Sequence, residues 1–169
     1  MEIVSATIDD LSRYQELARQ TFYDAYEPNT NPGDLQKYMA ENFSDDVVRN
    51  ELTDQHSAVF LLQDERQQIA GYIKLRWGTS HELLSGKSIE LQRIYVHKEF
   101  YNKGLGKILL DHAEQYGRQN GFEWIWLCVW YENHGAIRFY ERAGWKEFGK
   151  TKFRFGDTVF DDPVLKKKL

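Results

Sequence analysis

A chain of 169 residues is long enough to bury about 70% of its unfolded surface and short for two cores, so one domain over 1–169 is expected. Hydrophobic residues at 41% and charged residues at 28% match ordinary globular usage, which excludes a disordered or fibrous chain. Lys and Arg total 22 against 26 Asp and Glu, a formal charge of −4, so the basic footprint of a nucleic-acid binder is missing and cationic small molecules suit the balance better.

The start, Met1-Glu2-Ile3-Val4, has neither a basic nor an apolar leader segment, and the single cysteine, Cys128, has no partner for an internal disulfide. A cytoplasmic protein is expected. Residues 1 to 6 read as a strand, and Thr7-Ile8-Asp9-Asp10 resembles a capping box opening a helix with Leu11, Tyr14, Ala18, Phe22 and Ala25 at helical spacing. That helix should end before Pro28, with a loop over Glu27 to Asp34 and a second helix carrying Leu35, Tyr38 and Met39. Ser44-Asp45-Asp46 caps a third. Strands follow at Ser57 to Gln63, Ile69 to Trp77 and Ser88 to Val96, the pattern of an antiparallel meander.

Leu105, Ile108, Leu109, His112, Ala113 and Tyr116 recur at helical spacing between Gly104 and Gly121, a helix with a glycine cap at its end. Phe122 to Trp130 is apolar on both alternations, as a central strand covered on both faces would be, and the longest apolar stretch, the seven residues from Trp124 to Trp130, is too short for a membrane span of about 20. With Ser88 to Val96 and the intervening helix it makes a parallel βαβ unit. A short helix over Gly135 to Arg142, a cap at Gly144 and terminal strands complete an α/β fold: one mixed, mostly antiparallel twisted sheet with helices on both faces.

Tyr101-Asn102-Lys103-Gly104-Leu105-Gly106-Lys107 falls between a strand and a helix, where free backbone N–H groups and the positive helix end attract an anion. A nucleotide P-loop needs glycine at 101 and Ser or Thr at 108, where this chain has Tyr101 and Ile108, and the third glycine of a dinucleotide fingerprint would fall on Leu109. Both nucleotide motifs fail. By itself the turn reads equally as an anion cradle or as a tight entry into a helix.

Downstream lies Asn133-His134-Gly135-Ala136-Ile137-Arg138-Phe139-Tyr140-Glu141-Arg142-Ala143-Gly144-Trp145. Together the two segments resemble the GNAT acetyltransferases, whose patterns are Gln/Arg-x-x-Gly-x-Gly/Ala and Asn-x-x-Ala-x-x-Phe-Tyr-x-x-x-Gly-Phe. Gly104, Gly106, Asn133, Ala136, Phe139, Tyr140 and Gly144 match, and Tyr101 departs from the usual Gln or Arg. The resemblance implies acetyl-CoA as cosubstrate, with its pantetheine arm along the backbone of Ile94, Tyr95 and Val96. It also implies a pyrophosphate over Asn102, Lys103, Gly104, Leu105, Gly106 and Lys107, with Asn133 and Ala136 flanking the arm. Tyr140 matches the family's acid position. Within the superfamily the chain is similar to the bacterial PaiA-type spermine/spermidine acetyltransferases, through Thr21 to Tyr26, Tyr38 to Ser44, Glu90 to Val96 and the tail Phe155-Gly156-Asp157 to Asp162. Pro163 departs from the usual ending.

The chemistry sets its own requirements. An alkyl ammonium with pKa about 10.4 needs roughly 4.6 kcal/mol to lose its proton at pH 7, so a base is required. Strict alternation puts Glu90, Gln92, Ile94 and Val96 on one face, with Glu90 up the strand from the thioester, which makes it the expected base; the alternative is an exposed glutamate at a strand start. A phenol can reprotonate the departing thiolate, a task that falls to Tyr140 or leaves it a core tyrosine. Backbone N–H groups near Ile94 to Val96 would stabilise the oxyanion. Cys128 is expected in a buried strand as a structural thiol. Trp124, Trp126 and Trp130 share one strand face as core, with Trp130 bordering the cleft as the alternative, and Lys166 to Lys168 form a solvated strand end. The histidines lack ligand spacing, so no metal is expected.

A polyamine is the expected acceptor, roofed by Asp24, Glu27, Asp34 and Glu41 with Tyr23, Tyr26 and Tyr38 as cation–π faces. Acetylation of a peptide or protein N-terminus, or acyl-CoA binding without catalysis, are the alternatives. The expected partners are small-molecule amines, without nucleic acid or membrane, and the expected state is a monomer or homodimer.

Overall fold

The computed structural model describes residues 1–79, 81–156 and 158–169 and opens on a short strand, β1 (Glu2–Ser5). The backbone N–H and hydroxyl of Thr7 both donate to the Asp10 carboxylate, at 3.0 and 3.2 Å, and a single 3-10 turn leads into α1 (Leu11–Tyr26). The loop expected from Glu27 to Asp34 is shorter. Asn31 Oδ1 accepts the N–H of Gly33 at 2.8 Å, and Pro32 occupies the first helical position, where a missing N–H costs nothing, so α2 runs Pro32–Asn42. Ser44 then caps α3 (Asp45–Thr53) as its sequence predicts.

The meander β2 (Ser57–Gln63), β3 (Ile69–Arg76) and β4 (Ser88–Val96) continues from β1, each neighbour antiparallel. A crossover helix, α4 (Leu105–Gln119), brings β5 (Trp124–Cys128) parallel to β4. After α5 (His134–Arg142), the hairpin β6 (Lys146–Phe155) and β7 (Thr158–Lys168) folds back so that β7 enters beside β5. The sheet has seven strands in the order β1-β2-β3-β4-β5-β7-β6. One apolar core packs α4 and α5 on one face, with Leu109, Leu110, Ile89 and Ile125 fully buried. The other packs α1, α2 and α3, with Tyr14, Leu35, Phe43 and Tyr72 fully buried. Each large apolar side chain so enclosed contributes about 1.5–3 kcal/mol. This is the mixed α/β architecture expected from the sequence; Asp157, in the tail segment, lies outside the described residues.

Three local expectations change. The strand predicted over Phe122 to Trp130 stops at Cys128: the Val129 N–H still reaches the Pro163 carbonyl (3.1 Å), but proline has no N–H to return the bond, and the chain turns through Asn133 N–H to Trp130 carbonyl (2.9 Å). The lysine tail is not a free end. β7 is an inner strand, so Lys166 lies 4.6 Å over the Trp124 ring, and Lys167 reaches both oxygens of the buried Glu114 at 2.8 Å; Lys168 alone of the three is exposed.

The third change matters most. Pairing steps from Lys74↔Arg93 to Leu75↔Leu91, so Gln92 is an extra residue without a partner on β3. Such a bulge resets the two-residue alternation. Leu91, Ile94 and Val96 pack into the α4 core, whereas Arg93 reaches α3 and Tyr95 packs into the α1 core. Glu90 therefore lies on the face of Arg93 and Tyr95, not of Ile94 and Val96.

Candidate functional site

β4 and β5 are hydrogen-bonded only across Ser88↔Trp124, Ile89↔Ile125 and Glu90↔Trp126. Beyond Glu90 the strands part, and the sheet opens into a cleft. Its first compartment, about 140 Å³, lies between Gln92 to Tyr95 on β4, Leu127 to Trp130 after the parting, and Asn133, Ala136 and Tyr140 of α5. Its second, about 240 Å³, is walled by Phe22, Tyr26 and Tyr38 from the helices, Glu90 from β4, and Phe153 and Asp162 from the terminal hairpin. Gln92, Arg93, Cys128 and Trp130 line both compartments, which therefore adjoin.

The sequence-predicted residues distribute as follows. Ile94, Tyr95, Asn133, Ala136 and Tyr140 meet around the smaller compartment, and Glu90 faces the larger one. Val96 is the next residue along β4 and packs toward α4. Asn102 to Lys107 lie at the entry to α4, where Asn102 (φ 61°) and Gly104 (φ 74°) are both left-handed, the conformation that favours glycine at 104. At the start of α4 the Lys107 N–H donates to the Gly104 carbonyl at 3.1 Å, and the Leu105 and Gly106 N–H groups have no described acceptor. Leu105 is buried and anchors the helix start in the core; Tyr101 is 54% exposed. Lys107 Nζ lies 2.5 and 2.6 Å from the two Asp111 oxygens, and Lys103 lies 4.9 Å over the Phe100 ring.

Asn133 has a structural task of its own: its Oδ1 accepts the Ala136 N–H at 3.0 Å and so caps α5, the helix that carries Tyr140 to the cleft. The Tyr140 ring packs 5.7 Å from Trp145, and burial, reinforced by Tyr95, pushes its phenol above the ordinary range. Its proton stays on at neutral pH.

Glu90 is paired. Its Oε2 accepts from Arg76 Nε at 2.8 Å and lies 2.6 Å from an Arg76 terminal nitrogen, while Oε1 has no described partner. Next to it, Arg93 donates to both oxygens of Glu51 at 2.9 and 3.0 Å and lies 3.3 Å from the Tyr14 hydroxyl. Lys74 closes the group at 2.6 Å from Glu51 Oε1, and burial pushes its ammonium down to about 8. Glu51, Lys74 and Arg93 come from three elements, and no local motif could have brought them together on paper.

Cys128 corrects an expectation: it is open to the cleft rather than buried, because β5 has lost β4 as a neighbour at this point. Protein still rings the sulfur. That enclosure, then the Asp162 and Glu90 carboxylates, pushes the thiol up to about 12, so it remains protonated and a poor nucleophile. Trp130 lines the cleft, whereas Trp126 is buried. Of the helix residues expected to roof the acceptor, Tyr26 and Tyr38 line the cleft but Tyr23 is 43% exposed outside it. Asp24 is turned to Lys98 (3.6 Å), Asp34 abuts Gly156, and Glu27 and Glu41 are exposed. The buried carboxylate of the larger compartment is instead Asp162, whose Oδ1 accepts the Tyr131 N–H at 3.0 Å. Its one sequence signal is a charged residue beside Pro163, just ahead of the apolar Val164-Leu165.

Residues 18–145 match the model of the Acetyltransferase (GNAT) family. The chain is 32% identical to an uncharacterized N-acetyltransferase in the pepI 3' region of Lactobacillus delbrueckii subsp. lactis, across 100% of this chain and 98% of that protein. It is 26% identical to spermidine N(1)-acetyltransferase of Thermoplasma acidophilum, across 99% and 97%. Among solved structures, PaiA N-acetyltransferase from Thermoplasma acidophilum in complex with coenzyme A superposes with a TM-score of 0.80 at 24% identity, covering 99% of this chain and 98% of that one. Ribosomal-protein-alanine N-acetyltransferase from Brucella melitensis superposes with a TM-score of 0.70 at 18% identity over the full length of both. These two superpositions are likenesses of fold.

Proposed function

Because the chain belongs to the GNAT family of acetyltransferases, we propose that it moves the acetyl group of acetyl-CoA to a primary amine, with Glu90 as base and Tyr140 as acid, and that this amine belongs to a polyamine such as spermidine or spermine. The observation that carries the reading is the division of the cleft: Tyr140 borders one compartment, Glu90 the other, and Gln92 and Cys128 stand at the junction.

The smaller side suits the cosubstrate. Past Glu90 the β5-facing backbone of β4 has no strand partner, so Ile94, Tyr95 and Val96 can pair with the amides of an extended pantetheine arm as a sheet edge pairs with a peptide. The turn over Asn102 to Lys107 sets N–H groups at the positive end of α4 for the pyrophosphate, and Asn133 and Ala136 close the arm's other side. When bound, acetyl-CoA supplies an activated thioester. Arg76 holds one oxygen of Glu90 and leaves Oε1 to take the amine's proton through water. Backbone N–H groups near Ile94 to Val96 face the carbonyl oxygen, and Tyr140 hands its proton to the sulfur.

The amine side is aromatic with a single buried acid, which suits an alkyl ammonium, and the similarity to spermidine N(1)-acetyltransferase supports a polyamine. A CoA-release assay over spermidine, spermine, monoamines, amino acids and a ribosomal-protein N-terminal peptide tests this. Turnover of spermidine is expected, with kcat/KM falling from low to high salt more steeply than for a monoamine, because exposed attractions are screened over about 8 Å at physiological ionic strength. Efficient transfer to the peptide alone would overturn the acceptor and keep the acetyltransferase.

A further inference from the structure

Beside the amine compartment lies a further pocket of about 180 Å³. Its walls are rings: Tyr26, Trp130, Phe153, Phe155 and Phe160, with Asp162 among them and Glu132 at the side. Tyr26, Trp130, Phe153 and Asp162 also line the amine compartment, so the two pockets adjoin across a shared wall. The rings make a continuous wall, with Tyr26 5.8 Å from Trp130 and 6.3 Å from Phe155 between centroids.

Asp162 is the odd member of this apolar enclosure. Its residue surface is 3% exposed, and an ionised carboxylate there can accept about four hydrogen bonds, of which the Tyr131 N–H supplies one. Glu90 is answered by Arg76, and Glu51 behind the wall by Lys74 and Arg93, while Glu132 at the side is exposed and accepts the Tyr131 hydroxyl at 2.9 Å. Among the described residues no Lys, Arg or His pairs with Asp162. Burial, with Asp161 adding to it, pushes the Asp162 carboxyl above the ordinary carboxylate range, which means that the charge is held at a cost until a cation arrives. A neutral apolar tail would leave that cost in place, and an anion would add to it. A cation among rings is matched twice, by the carboxylate and by the aromatic quadrupoles.

We propose that this pocket is a second ammonium subsite, in which Asp162 and the rings of Tyr26, Trp130 and Phe160 hold a distal ammonium of the acceptor. The enzyme therefore selects amines that carry a further positive charge one compartment away from the nitrogen that is acetylated. The inference rests on the acetyltransferase reading above and assigns its selectivity to residues outside the α1 and α2 acids.

The matched probes are cadaverine and hexylamine, which has a methyl where cadaverine has its second ammonium. In the wild type, kcat/KM for cadaverine exceeds that for hexylamine by about tenfold or more, the scale of one desolvated cation with a carboxylate and rings. Asp162→Asn, which keeps an oxygen for the Tyr131 N–H, brings the ratio close to one, and Phe160→Leu, which touches the distal pocket alone of the cleft compartments, lowers it partway. Calorimetric titration of cadaverine in the presence of CoA, on the wild type and Asp162→Asn, gives a readout free of turnover. Equal kcat/KM for the two amines in the wild type, or a preference that both variants retain, overturns the subsite while the acetyltransferase stands. Cadaverine binding that disappears in Asp162→Asn, in a protein that acetylates no amine, keeps the subsite and removes the reaction. Absence of binding and of turnover removes both.

Discussion

Tyr140 combines a buried phenol with a place on the cleft wall, and the two properties pull in different directions. Enclosure keeps the proton on at neutral pH, which an acid requires, and makes its release costlier unless a thiolate forms next to it. Tyr140→Phe is expected to leave acetyl-CoA affinity nearly intact and to lower kcat by about 10² to 10⁴; unchanged turnover would remove Tyr140 from the mechanism. Glu90→Gln should lose most activity near neutral pH and recover partly in alkaline solution, where the acceptor is already a free amine, so a pH-rate profile checks it. A loss independent of pH would make Glu90 a structural partner of Arg76. That both residues line the cleft was legible in the sequence because each sits in a local pattern, one inside the 133–145 run and one at a strand start. Asp162 and Glu51 were not, because their roles depend on contacts 31 to 42 positions away, with Tyr131 and Arg93.

At the level of elements, what the sequence disclosed was written into short-range chemistry. Thr7 with Asp10, Ser44 and the left-handed Gly104 mark helix starts by bonds and angles spanning a few residues, whereas the cap at Asn31 reads as loop in the sequence. The bulge at Gln92 left no such trace. One extra residue in β4 is a property of its register with β3, and it moved Glu90 to the face opposite Ile94. That face is held by the Glu51, Lys74 and Arg93 group, which ties α3, β3 and β4 together directly behind the bulge. Glu51→Gln would leave two buried cations with a neutral amide, a loss of about 3–5 kcal/mol by chemical denaturation. The loss should shrink with alkalinity. Lys74, at about 8 in the fold and 10.5 as its ordinary value, binds less proton folded than unfolded between those values, so stability linked to it rises with pH there. Without the Glu51 carboxylate the rise should begin at lower pH.

For the molecule as a whole, the alternation of helix and strand patterns disclosed the layers and the βαβ unit, whereas the depth of the cleft depended on how far β4 and β5 remain paired, which periodicity does not encode. Acetyl-CoA is expected to raise the melting temperature, and ATP and NAD are not, because the α4 turn lacks both nucleotide fingerprints; equal stabilisation by ATP would sink the cosubstrate assignment. The parting of the strands after Glu90 has one more consequence. A sheet ordinarily exposes two edges, at its outermost strands, and this one carries two more in its interior, with half of the peptide groups of Arg93 to Val96 turned to β3 and half to open space. Amide hydrogen exchange along this stretch should therefore alternate, slow and fast, residue by residue in the free protein, and saturating acetyl-CoA should erase the alternation by giving the inner edge the strand that it lacks.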